Sequence, residues 1–264
     1  MPGILPSEEK MIKIILAGAN GRMGKAVAEA VLQKNEYTVV AGFDTNETSA
    51  NTHPFPVFSS PDDYEGEADV IIDFSHHTSV DALLKYAKKR SLPLIICTTG
   101  HTDEEIAKIE AASASNAIFR SGNMSLGINL LVELCRRAAA VLEGFDIEII
   151  ERHHNQKLDA PSGTAIMLAD AVSAAKNGES EYVYERQSRR QKRNEKEIGI
   201  HSVRGGSIVG QHDVIFAGEQ ECITLSHTAE SRSVFAEGAL RAAKFMAGKK
   251  SGLYSMKDVI AGII

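Results

Sequence analysis

The sequence predicts an α/β protein: a doubly wound parallel sheet joined to a second α+β domain with an open mixed sheet. Three observations lead there. Short apolar runs alternate with amphipathic stretches through residue 120, the pattern of strands and crossover helices. The first run, 11–17 (MIKIILA), ends in a glycine-rich turn that opens a helical pattern, which makes this half Rossmann-like. Beyond residue 127 several β-rich stretches follow one another, separated by glycine-containing turns, as in a sheet that is not purely parallel.

Each element has its own signal. A helix is expected over 24–33 and a strand over 38–43, closing a βαβ unit on Asp44. The apolar runs 69–74 (DVIIDF), 94–97 and 117–120 read as further strands. The stretches 80–89 and 102–114 carry apolar residues at helical spacing. In the second half, 128–142 is a long amphipathic helix, 145–150 (FDIEII) a strand with alternation, and 164–176 a helix. Stretches 198–203, 207–217 and 221–228 are β-rich, and 234–247 is helical. The domain boundary is expected after residue 127. A dinucleotide-binding domain covers 1–127 and receives the C-terminal return 238–264. A substrate-binding and oligomerisation domain covers 128–237.

Composition excludes several classes. Hydrophobic residues make up 43% and charged residues 24% of the 264 residues, which is globular usage rather than disorder, collagen or coiled coil. No apolar run is long enough to span a membrane. The leader at 1–10 has two prolines, Glu8 and Glu9 but no apolar core, so it reads as a short disordered leader and not a secretory signal. The net charge of −6 does not suggest a nucleic-acid partner. Cys97, Cys135 and Cys222 have neither metal spacing nor a disulfide framework, which suits a reducing cytoplasm. The charged stretch 185–197 holds nothing apolar and is expected to be a solvated loop; a lid over an anionic ligand is the alternative.

Three constellations carry chemistry. The turn Gly18, Ala19, Asn20, Gly21, Arg22, Met23, Gly24 sits between a strand and a helix. Glycines let the backbone turn tightly there and approach a pyrophosphate, with helix N–H groups facing the anion. Asp44 ends the next strand, where a carboxylate binds a ribose diol. That carboxylate repels a 2′-phosphate and Thr45 offers no countercharge, so NADH is the expected cofactor. Arg22 leaves NADPH as an alternative. Cys97, Thr98 and Thr99, and then Gly122, Asn123, Met124 and Ser125, follow two later strands at the edge where open sheets bind ligands. Cys97 reads as a small strand residue, not a nucleophile. His76 and His77 lie at the same edge and receive no role.

The third constellation is ERHHNQKLDAPSGT at 151–164. His153, His154 and Lys157 are candidate proton carriers or anion contacts. Ser162, Gly163 and Thr164 lead into an apolar helix, and a helix start is a site for a carboxylate. No acidic or cysteine ligand shows a metal spacing with the histidines, so no metal is expected.

The segments GANGRMG (18–24), DFS (73–75), TTG (98–100), GNMSLGIN (122–129), ERHHNQKLDAPSGTA (151–165), RGGSIVGQH (204–212) and SGLYSMKDV (251–259) together resemble the 4-hydroxy-tetrahydrodipicolinate reductase family, also called dihydrodipicolinate reductases. The resemblance runs over nearly the whole chain from Met11. It implies reduction of a cyclic dicarboxylate in lysine and diaminopimelate biosynthesis, with NADH or NADPH, by a homotetramer. It implies that His153 is a proton donor and acceptor, Lys157 a proton donor, and His154, Gly163 and Thr164 substrate contacts. It implies cofactor contacts at 18–24, Asp44, 97–99 and 122–125. Many members carry Gly in place of Cys97 and Phe in place of Met124. Two other readings are a dehydrogenase for a sugar or amino acid and an NAD(H)-binding redox sensor. Neither needs the histidine pair with Lys157 and the Ser-Gly-Thr helix start.

Overall fold

The computed structural model describes residues 11–46 and 53–263; the leader at 1–10 lies outside them. The chain divides into two compact units. One holds the residues through Met124 together with those from Phe235 onward, and the other is Ser125–Val234.

The first unit is a seven-stranded parallel sheet. Its elements in chain order are β1 (Ile12–Ala17), α1 (Arg22–Leu32), β2 (Tyr37–Phe43), β3 (Val57–Phe58), β4 (Val70–Asp73), α2 (Val80–Arg90), β5 (Leu94–Ile96), α3 (Asp103–Ser113) and β6 (Ala117–Arg120). On β1, Ile14, Ile15 and Leu16 are all fully buried. Apolar residues without alternation mark a strand covered on both faces. Helix α1 buries Gly24, Val27, Ala28 and Val31, the spacing of one helical face. Helix α3 begins with a capping box between Thr102 and Glu105, which satisfies two otherwise unpaired backbone donors.

Strand β1 lies between β4 and β2. The chain therefore winds outward in both directions from β1, and the carboxyl ends of β1 and β4, paired at Ala17 and Asp73, flank the switch point where such sheets bind ligands.

The second unit contains α4 (Leu126–Val141), β7 (Asp146–His153), α5 (Gly163–Ala175), β8 (Glu181–Val183), β9 (Glu197–Arg204), β10 (Gly210–Ala217) and β11 (Cys222–Ala229). The strand order is β11-β10-β7-β9-β8. β7 runs antiparallel to β10 and parallel to β9, so the sheet is mixed and open. Leu131 and Cys135 of α4 and Leu168 and Val172 of α5 pack on Ile147, Ile149, Ile198, Ile200, Val214 and Phe216 of the sheet. Ser125 and Ser162 cap the two helices by accepting from Ile128 N and Ala165 N. The chain ends with α6 (Ser233–Met246), β12 (Gly252–Tyr254) and α7 (Met256–Ala261). β12 pairs in parallel with β6.

One expectation is corrected and one refined. The strand expected to stop at residue 150 continues through His153, because Arg152 pairs with Gln211 and Val203, and His153 with Arg204. The stretch 185–197 is the largely exposed loop expected, anchored at two arginines. Arg186 binds Glu197 and Glu148, and Arg193 binds Asp146, Glu148 and two backbone carbonyls. Distant carboxylates on the sheet hold down a segment with nothing apolar to bury. No helix among the described residues is long and apolar enough to cross a membrane.

Candidate active site

In the first unit, the backbone dictates the glycine turn. Gly18 has φ +75°, and a Cβ there would lie 2.5 Å from the Phe74 carbonyl oxygen. Gly24 is buried, and a Cβ on it would collide with the Gly18 carbonyl. These two glycines let β1, α1 and the end of β4 approach one another. No side chain caps α1 at Gly21, unlike α3, α4 and α5. The first turn of α1 thus keeps the backbone N–H groups that favour an anion.

Two cavities open along this edge and share Phe74, Ser75 and His76. One, of about 470 Å³, is lined by Gly18, Gly21, Asp44, Thr45 and the 59–61 stretch. Asp44 accepts from Asn20 N at 2.9 Å through Oδ2 and from Asn46 N at 2.9 Å through Oδ1. Each oxygen keeps a further lone pair for a diol. Arg22 is exposed and lies outside the lining. The other cavity, of about 410 Å³, is lined by Met23, Cys97, Thr98, Thr99, Gly122, Asn123 and Met124, with His76, His77 and Phe235. Ser125 is buried and engaged as the α4 cap, and Ala19 is buried; neither lines either of these two cavities. Burial, then the neighbouring Asp73, pushes the Cys97 thiol well above its ordinary range, so it is a neutral thiol and no nucleophile.

Asp73 is the hub beneath the second cavity. It is buried and accepts from Ser75 N at 2.8 Å, Ser75 Oγ at 2.5 Å and Thr98 Oγ1 at 3.0 Å. Burial raises its pKa, opposed by the Ser75 and Thr98 hydrogen bonds. His77 Nδ1 lies 3.0 Å from Glu105, so the carboxylate that caps α3 also holds a wall of the cavity. A dinucleotide fits these residues: an uncapped helix start for its phosphates, a carboxylate with open lone pairs for its ribose, and a second cavity beyond.

In the second unit, alternation on β7 sets the geometry. Ile147, Ile149 and Glu151 form its buried row, and His153 continues the same phase. Glu151 is fully buried. Arg204 grips it with two nitrogens at 2.7 and 2.8 Å, Ser162 N donates at 3.1 Å, and His153 Nδ1 lies at 2.6 Å. Burial pushes the Glu151 carboxyl up, but hydrogen bonds from Arg204, Ser202 and His153 outweigh it and bring the pKa to about 2. Burial lowers the His153 pKa, and Glu151 opposes that. His212 lies 5.3 Å from the His153 ring and 3.0 Å from Ser162 Oγ. Burial, then the charge on His153, lowers its pKa to about 4.

Lys157 Nζ binds Asp159 at 2.8 Å, and its backbone N–H donates to the His154 carbonyl, which closes a turn after β7. A Cβ at Gly163 would meet open space, so the start of α5 is accessible to a ligand. The fold thus gathers His153, Lys157, Ser162, Gly163 and Thr164 around one turn and one helix start. Among the described residues no group of His, Cys, Asp and Glu is arranged to hold a metal.

The family model described as dihydrodipicolinate reductase, N-terminus, matches residues 12–124, and the one described as its C-terminus matches 127–260. The chain belongs to the dihydrodipicolinate reductase family. A 4-hydroxy-tetrahydrodipicolinate reductase of Caldanaerobacter subterraneus subsp. tengcongensis is 54% identical over 252 residues, covering 95% of this chain and 98% of the relative. One of Clostridium botulinum is 51% identical over 254 residues, with 95% and 98% covered. The structure of a dipicolinate-bound dihydrodipicolinate reductase from Paenisporosarcina sp. TG-14 superposes with a TM-score of 0.77 at 25% identity, covering 93% of this chain and 97% of that one. A myo-inositol dehydrogenase of Corynebacterium glutamicum, at 14% identity and a TM-score of 0.56 over 96% and 93% of the two chains, shares the fold alone. Dihydrodipicolinate reductases are NAD(P)H-dependent oxidoreductases, in keeping with the cleft of the first unit.

Local spacing assigns no role to Glu151, Arg204 or His212 of this reductase, although all three stand in segments that carry the family resemblance. The signal for Glu151 was a carboxylate on the apolar phase of an alternating strand, two residues before a histidine.

Proposed function

We propose that this chain reduces 4-hydroxy-2,3,4,5-tetrahydrodipicolinate to tetrahydrodipicolinate with loss of water, in lysine and diaminopimelate biosynthesis, and prefers NADH to NADPH. The observation that carries this reading is the buried Glu151–His153 pair on β7, followed by Lys157 and the capped start of α5. That is a proton carrier and an anion site joined by a short turn.

The residues divide the work. Gly18, Gly21 and the first turn of α1 receive the cofactor pyrophosphate, Asp44 the adenosine ribose, and Thr98, Thr99, Gly122 and Asn123 the nicotinamide half. When bound, the nicotinamide supplies a hydride to ring C4 of the substrate. The start of α5, with Gly163 and Thr164, holds a substrate carboxylate by backbone N–H and hydroxyl donors, and His154 is a further contact; Ser162, expected from sequence to join them, is buried with its N–H on Glu151 and its hydroxyl on Ala165 N and His212, and shapes that helix start instead. Loss of water from the substrate gives a conjugated ring. After reduction at C4 the resulting enamine needs a proton, and His153 and Lys157 are the donors. Asp159 holds the Lys157 ammonium at 2.8 Å, which keeps it placed.

Assembly as a homotetramer belongs to the same reading. It is supported by exposed Val203 and Ile223 on the five-stranded sheet, and sedimentation velocity checks it. Cytoplasmic residence is supported by three free cysteines. The deciding experiment mixes the protein with freshly prepared substrate and follows the near-ultraviolet absorbance of NADH. The expected result is substrate-dependent loss of absorbance, inhibited competitively by pyridine-2,6-dicarboxylate. No loss with either NADH or NADPH overturns the reading.

A further inference from the structure

We infer that Glu151 is a positioning residue: it holds His153 by Nδ1 and thereby assigns Nε2 as the nitrogen that exchanges protons with substrate, an inference that rests on His153 being a proton carrier. Glu151 cannot itself touch substrate, because it is fully buried. Its carboxylate has two oxygens and both are committed. Oε1 accepts from Arg204 and from Ser162 N; Oε2 accepts from Arg204 and from His153. An ionised carboxylate only accepts, so the proton of a neutral His153 sits on Nδ1. Nε2 is then the bare nitrogen of the neutral ring and the N–H donor of the charged one.

The surroundings of Nε2 agree. A Cβ on Gly210 would lie 3.2 Å from it. Gly210 has no positive φ to require glycine, so what the residue supplies here is room at that nitrogen. The same carboxylate fixes Ser162 N at the start of α5. One buried anion therefore ties the ring that carries the proton to the helix start proposed to hold the substrate.

The charged groups facing His153 are Glu151 on its own strand, Arg204 from β9, His212 from β10, and Lys157, itself paired with Asp159, from the following turn. Of these, Glu151 alone directly favours the imidazolium. Burial, Lys157 and Arg204 all disfavour it. Neutralising Glu151 thus removes both the tautomer bias and the support for the charged ring.

Two measurements test this. Nitrogen NMR of the ¹⁵N-histidine-labelled unmodified protein should show neutral His153 protonated at Nδ1. In Glu151→Gln the pH at which turnover falls on the alkaline side should move down by about one unit or more. Turnover at neutral pH should drop by roughly 10- to 100-fold, as when the outer partner of a working histidine is lost, with NADH affinity unchanged. A purely structural Glu151 would change stability without moving the pH profile. Gly210→Ala, which leaves the ion pairs intact, should lower turnover with the Nδ1–H tautomer retained, so the inference stays testable if Glu151→Gln fails to fold. An Nε2–H tautomer in the unmodified protein, an unmoved pH profile in folded Glu151→Gln, or full turnover by Gly210→Ala overturns it. Full turnover by His153→Ala would instead overturn the role of His153 itself, a failure that the tautomer measurement keeps separate.

Discussion

Gly18 and Phe74 meet at the switch point of the parallel sheet, where the backbone of one passes so close to the carbonyl of the other that a Cβ would lie 2.5 Å from its oxygen. The contact joins the turn after β1 to the end of β4. Because Phe74, Ser75 and His76 line both cavities, a displacement at Gly18 reaches both of them.

Gly18→Ala should therefore lose both stability and cofactor binding. A non-glycine residue at φ +75° costs about 1–2 kcal/mol, and here backbone, which cannot swing aside as a side chain can, blocks the new methyl. Denaturant unfolding should show a loss of at least about 2 kcal/mol, and calorimetric titration weaker NADH binding. An unchanged unfolding midpoint would show that β4 yields.

The parallel sheet was legible from local pattern because β1, β4 and β5 are short apolar runs ended by turns. Three short edge strands were not. Val57–Phe58, Glu181–Val183 and Gly252–Tyr254 are two or three residues long and show no periodicity; a neighbouring strand defines each. The end of β7 is hidden in the sequence for the opposite reason. ERH looks like the start of a polar loop, yet pairing on both sides extends the strand and carries Glu151 inward. The candidate site was legible as a segment, 151–164, but its long-range members were not. Arg204 and His212 reach Glu151 and Ser162 from sequence separations of 53 and 50 residues, which no local spacing encodes. The arginines at 186 and 193 likewise found their partners on β7.

Lys157→Ala and His153→Ala should each lower the maximal rate by at least ~10²-fold, the lower end of what a positioned acid contributes. Both side chains lie in the second unit and the glycine turn in the first, so the dissociation constant for NADH should hold. Saturation kinetics with substrate check the first expectation, and cofactor fluorescence titration the second. The chain has no Trp, which keeps the protein background low. Near-normal turnover in both variants would remove them from proton delivery.

Asp44 should make NADH the tighter cofactor. Its two oxygens already accept backbone N–H groups from Asn20 and Asn46, so the carboxylate is fixed and cannot turn away from a 2′-phosphate. Thr45, on the same cavity wall, brings no positive charge. The expected preference is modest, because Arg22 stands exposed in the adjoining turn. Asp44→Ser combined with Thr45→Arg should reverse the order of the two dissociation constants. Equal or tighter NADPH binding by the unmodified protein would show that a cation outweighs Asp44.

Stability should fall on mild acidification, with His212 as a main cause. Its pKa lies near 4 instead of 6.5, because burial and then the His153 charge disfavour the charged ring. Between those values the unfolded chain binds a proton that the folded chain refuses. The stabilisation is thus complete above about pH 6.5 and drains as pH drops towards 4. For a ring only 3% exposed the full span amounts to something on the order of 3 kcal/mol. His153 and His227, also lowered by burial, add in the same direction. Glu151, held near 2 instead of 4.5, extends the loss to lower pH, since it too must take up a proton that only the unfolded state accepts readily. Chemical denaturation at a series of pH values from 7 to 4 reads the slope, and His212→Gln isolates the contribution of this ring. Gln can replace the polar contact at Ser162 Oγ without titrating. The variant should therefore be less stable than the unmodified protein at pH 7, and the gap should narrow as the pH falls. A gap that stays constant across the window would mean that His212 takes up its proton equally in both states, and that the acid sensitivity belongs to His153 and the carboxylates.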